Sequence, residues 1–175
     1  MVLALVAVLA VPTAALAAVT QTGETTVTGE VPTTYTLTVP ASIPLPSLVP
    51  GTTVTSASGY ELKLDSNVDG TVTLTVRDKE QTSDIGQMYC TTESYALSTP
   101  LKVKGGSATT DSSAIESYTP LPTSGGEKLT IVDGRSITAG VTYKPTGDFY
   151  VQQAVEALAK PGSYSLTLYF AATFS

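Results

Sequence analysis

The sequence predicts a mainly β protein: an antiparallel β-sandwich with one short helix near residues 149–160, preceded by a signal peptide. Three observations predict it. Apolar and hydroxylated side chains alternate with a period of two in several short runs, the signature of half-buried strands. Thr and Ser number 30 and 17 of the 175 residues, and Thr suits a pleated surface covered on one side. The 11 Pro and 14 Gly punctuate these runs as turns and breaks rather than clustering in one linker.

In chain order, residues 1–17 (MVLALVAVLAVPTAALA) carry no charged side chain and end on Ala15-Leu16-Ala17, the small-x-small pattern of a cleavage site. The apolar run Val2 to Val11 is too short for a ~30 Å hydrocarbon core, which takes about 20 residues, so a cleavable leader is expected and no membrane span in the mature chain. Residues 18–33 form a flexible Thr-rich segment with only Val19, Val27 and Val31 as aliphatic anchors beyond Ala18. A single β domain should fill residues 34–175. Its first strand alternates Tyr35, Leu37 and Val39 with Thr34, Thr36 and Thr38. Pro40, Pro44, Pro46 and Pro50 make the following stretch an extended connection that cannot sit inside a sheet.

Two further runs, Tyr60-Leu62-Leu64 and Val72-Leu74-Val76, flank a polar turn and read as a hairpin. Weaker strands are expected over Tyr95 to Val103, Leu129 to Val132 and Gly140 to Tyr143, with residues 105–126 looping over the surface. The helix is expected over Phe149 to Lys160, where Val151, Val155 and Leu158 share a face, Asp148 caps the start and Pro161-Gly162 ends it. Tyr164 to Phe174 alternates most regularly of all. Several short one-sided strands suit an immunoglobulin-like or jelly-roll-like sandwich, with a compact barrel as the alternative.

Composition excludes several chemistries. The chain has no His, and hence neither a His-based triad nor a His zinc site. A single Cys rules out an intrachain disulfide, and a net charge of −6 argues against a nucleic-acid partner. The acids are scattered singly, with no spacing that favours the carboxylate pair of a glycosidase, so a non-enzymatic role is expected. Cys90 has no activating partner in sequence beyond Glu93 and reads as a small buried hydrophobe. With no Trp, sugar stacking would fall to Tyr, of which Tyr118, Tyr143 and Tyr150 lie near expected loops or element ends.

The one motif with a metal-binding mechanism is Asp65-Ser66-Asn67-Val68-Asp69-Gly70. It matches the first half of a calcium loop, in which alternate oxygen side chains of Asp65, Asn67 and Asp69 converge on a hard cation. The twelfth position, where a bidentate acid belongs, is Val76. The competing reading is a polar turn, since Asp, Asn and Gly are also what such turns use.

The runs Tyr35-Thr-Leu-Thr-Val-Pro-Ala-Ser-Ile43, Val54-Thr-Ser-Ala-Ser58 and Pro161-Gly-Ser-Tyr-Ser-Leu-Thr-Leu-Tyr-Phe170 resemble small exported β-sandwich surface proteins, namely WxL-like cell-surface proteins and donor-strand subunits of biofilm filaments. The likeness spans about a third of the chain and transfers no functional residue. It implies a secreted or cell-surface structural role. The partners would be further copies of the chain, other surface proteins, or cell-wall and glycan. The segment holding Val19, Val27 and Val31 would then be the strand donor. A secreted carbohydrate- or calcium-binding adhesion module is the alternative.

Overall fold

The structure, a computed structural model, describes residues 26–105, 115, 117–144 and 148–175. The expected leader over 1–17, residue Val19 and the rest of 18–25 lie outside the described residues. The chain divides into two compact units, Met1–Val31 and Pro32–Ser175. Of the first, residues 26–31 are described and adopt neither strand nor helix.

The second unit is mainly β, and no helix occurs among the described residues. Its strands are β1 (Tyr35–Thr38), β2 (Thr53–Thr55), β3 (Tyr60–Glu61), β4 (Lys63–Ser66), β5 (Gly70–Asp78) and β6 (Tyr89–Cys90). They continue as β7 (Tyr95–Ala96), β8 (Lys102–Gly105), β9 (Thr119–Pro120), β10 (Leu129–Ile137), β11 (Asp148–Ala154) and β12 (Leu168–Phe174). All pairings are antiparallel. One sheet runs β10-β5-β12, and a second runs β2-β11-β8-β9 with β3 also on β11. The pairs β1-β4 and β6-β7 complete the set.

Strand β5 shows why these residues form strands. Val72, Leu74, Val76 and Asp78 are buried, while Thr71, Thr73, Thr75 and Arg77 between them are half-buried. Successive side chains of a strand point to opposite faces, so a strand with one face on the core buries every second residue, and the β-branched Thr and Val suit such a surface. Leu74 and Val76 meet Ile131 and Val132 of β10, Val103 of β8 and Phe149 and Val151 of β11 in one buried cluster. Phe149 contacts Phe170 of β12 edge-on, with ring centroids 5.4 Å apart. The two larger sheets thus share one core.

Four expectations change. The helix near 149–160 is replaced by β11, a central strand paired with β8 on one edge and with β2 and β3 on the other. The buried residues there are Phe149, Val151, Gln153 and Val155, a period of two, while Leu158 is 89% exposed. Gln153 hides the pattern. It is polar in sequence, yet fully buried, donating through Nε2 to Thr99 O (2.9 Å) and Ala154 O (2.7 Å). Sheet hydrogen bonds on both edges outweigh the local helical spacing.

The hairpin also dissolves. β4 pairs with β1, whereas β5 pairs with β10 and β12, so residues 67–69 carry the chain from one sheet to another. Ser66 Oγ closes that corner by donating to Val68 O and accepting from Val68 N. The expected Leu129–Val132 strand continues to Ile137 through register shifts after Thr130 and Val132. These shifts bury Ile131 and Val132 in succession and break the alternation. Gly140 to Tyr143 contributes only a bridge between Leu64 and Tyr143.

Phe149→Ala, which opens a cavity where the two sheets meet, is expected to lower unfolding free energy by about 3–5 kcal/mol in chemical denaturation.

Candidate strand-docking site

The acidic corner is built as a clamp. Asn67 Nδ2 donates to Pro32 O and its Oδ1 accepts from Thr34 N, both at 2.8 Å. Asp65 Oδ1 accepts from Thr142 Oγ1 at 2.6 Å, and Asp69 Oδ1 from Ala139 N at 2.7 Å. The three oxygen side chains singled out by their spacing therefore hold two other stretches of chain, residues 32–34 and 139–142. Among the described residues no group of three or more His, Cys, Asp or Glu could hold a metal ion.

A groove of about 780 Å³ opens beside β12. One wall is the Pro-rich stretch, with Ile43, Leu45 and Leu48 half-buried against the core. The other is the chain entering β12, with Leu166, Leu168 and Phe170. Buried Met88 and Leu101 also line it, and none of its lining residues is charged. Pro40, Pro44 and Pro46 give the first wall no amide hydrogens at those positions, so it cannot form a regular ladder with its neighbour. On the far side, Ser165 exchanges backbone hydrogen bonds with Tyr89, and Lys79 N donates to Thr167 O. Strand alternation turns the backbone groups of the intervening Leu166 the other way. Strand β12 pairs with β5 on one edge, and among the described residues no strand pairs with its other edge.

The Pro-studded stretch after β1, expected only as an extended connection, supplies this wall over residues 40–48. The signal was present in Ile43-Pro-Leu45-Pro-Ser-Leu48, where apolar side chains recur between the prolines. Of the expected donor residues, Val27 and Val31 are 91% and 83% exposed.

The remaining candidates have structural partners. Cys90 is buried and contacts Thr92 Oγ1 at 3.2 Å, and that hydrogen bond holds its thiol below the ordinary value. The buried Asp78 accepts from Glu80 N and Gly86 N and so ties down the loop after β5. Tyr143 packs on Leu64, Val72 and Ile137. Tyr150 lies opposite Lys104 across β11 and β8, and Lys104 Nζ sits 5.5 Å from the Tyr118 ring centre. Glu156 Oε1 accepts from Tyr95 Oη (2.7 Å) and Ser98 N (3.2 Å), joining the turn after β11 to β7. Burial pushes this carboxyl up, and the hydrogen bonds outweigh it, leaving Glu156 below its ordinary 4.5.

Comparison with known protein families, with curated proteins and with solved structures finds no match to this chain.

Two outcomes follow from these contacts. Asn67→Ala, which leaves Pro32 O and Thr34 N without their partner, is expected to lower stability by about 1 kcal/mol in thermal unfolding, equally with and without calcium. A depressed carboxylate stabilises the fold above its unfolded value and loses that contribution on protonation. Melting temperature should therefore fall as pH drops below 4.5, and Glu156→Gln should flatten that part of the profile.

Proposed function

We propose that the chain is an exported, non-enzymatic structural protein of a cell surface or extracellular matrix. Its two larger sheets form the layers of a sandwich, and copies join by strand addition through the N-terminal segment bearing Val19, Val27 and Val31. The observation that carries this reading is the outer edge of β12, which pairs with no strand among the described residues and is bordered at Leu168 and Phe170 by a groove without charge. Main-chain hydrogen bonds along such an edge supply affinity, and pockets for alternate side chains supply register. The leader-like residues 1–17 and the acidic, Thr-rich composition support a site of action outside the cytoplasm. A second reading, a secreted carbohydrate-binding adhesion module, draws on Tyr118 and Tyr150 on either side of Lys104.

Deletion of residues 18–31 separates the two. Strand addition expects the purified full-length protein to form assemblies visible by negative stain and light scattering, and the deleted protein to remain monomeric. Assemblies that persist after deletion would remove the donor role. Monomers in both cases would favour the adhesion module.

A further inference from the structure

The larger sheet turns one face away from the core, and that face gathers lysine, tyrosine and amide side chains. We propose that it binds an acidic polysaccharide, with Lys102 and Lys104 on the sugar carboxylates and Tyr150 against a sugar ring. The inference rests on the carbohydrate-binding reading above and specifies the class of glycan and the residues that select it.

Strand alternation builds the face. Val103 of β8 and Phe149 and Val151 of β11 are buried in the core, so Lys102, Lys104, Tyr150 and Gln152 stand together on the opposite side, all half-buried. In the antiparallel register Tyr150 lies opposite Lys104 and Gln152 opposite Lys102, about 5 Å away on the next strand. The two lysines are two residues apart, about 7 Å along β8. Their stems lie along the sheet and leave the charged heads to the solvent. On the far side of β8, Lys104 Nζ sits 5.5 Å from the ring centre of Tyr118, the residue before β9. Its ammonium is therefore held between two tyrosines.

Charge and side-chain chemistry select the ligand. The chain carries 9 basic against 15 acidic residues, so two adjacent lysines on one face are a local exception to its charge. Glu61 on β3 pairs with Lys63 and Lys144, and Asp148 accepts from the Tyr150 hydroxyl at 3.5 Å. Among the described residues Lys102 and Lys104 form no ion pair. An ammonium donates charge-assisted hydrogen bonds to a carboxylate. Gln152 Nε2 donates to Thr55 Oγ1 at 3.3 Å, which orients its amide and leaves the oxygen for a sugar hydroxyl. The apolar ring of Tyr150 covers the C–H face of a sugar. A nucleic acid, whose phosphates need a broader basic surface, suits a chain of net charge −6 less well.

Titration of the purified full-length chain with alginate, a polyuronate, and with neutral dextran tests this by calorimetry. Alginate is expected to bind at least tenfold more tightly than dextran, and its affinity to fall as ionic strength rises. Lys102→Gln with Lys104→Gln removes both charges from half-buried side chains of similar length. It is expected to keep the melting temperature and lower alginate affinity at least tenfold, whereas Lys128→Gln, immediately before β10 in the other sheet, leaves it unchanged. Dextran bound as tightly as alginate would overturn the charge assignment while leaving the carbohydrate reading standing. No binding of either polymer would overturn both. Alginate affinity that the double variant retains would overturn the assignment to this face. Single-stranded DNA bound as tightly as alginate, and lost in the same variant, would replace the sugar with a nucleic acid and overturn the proposal. The salt dependence is read on the unmodified protein, so alginate binding indifferent to ionic strength would remove the lysines' role whether or not the variant folds.

Discussion

The contact that organises this domain is the edge-on meeting of Phe149 and Phe170. One belongs to the central strand of the larger sheet and the other to the edge strand of the β10-β5-β12 sheet. Aromatic pairs of this geometry add about 0.5–1.5 kcal/mol to the area they bury. Their larger effect here is positional. Phe170 also lines the groove, so the interior that stabilises the fold is continuous with the surface left open beside β12. With one cysteine, the chain has no internal disulfide, and burial has to hold the sheets together.

Polar side chains then determine how the chain passes between the sheets. Ser66, Asn67 and Asp69 close the corner from β4 to β5 and fasten it to the start of β1 and to Ala139. Asp78 does the same for the loop at the other end of β5. Each uses its oxygen atoms to satisfy backbone amides that no strand ladder reaches, which is the usual requirement for a turn at the rim of a core.

How much was legible in the sequence depended on whether burial followed a simple rhythm. Val72, Leu74 and Val76 could be read directly, because every second residue faces the core. β11 could not, because its buried set includes Gln153, whose acceptor Thr99 O is brought beside it only by folding. The pairing of β4 with β1 was likewise hidden. Alternation says which face of a strand is buried and nothing about which strand lies beside it. In the N-terminal segment the valines were legible as scarce apolar residues, and Val27 and Val31 are exposed. The groove was not legible, since its walls are far apart in sequence and one of them, Ile43 to Leu48, follows no strand or helix pattern.

The prolines of that wall have a consequence for folding. A sheet edge next to apolar chain would ordinarily recruit its neighbour as one more strand and seal itself. At Pro40, Pro44 and Pro46 the backbone has no hydrogen to offer, so the nearest stretch of polypeptide is chemically barred from completing the ladder. Among the described residues the wall therefore meets β12 through apolar side chains alone, and the ladder of that sheet ends at β12.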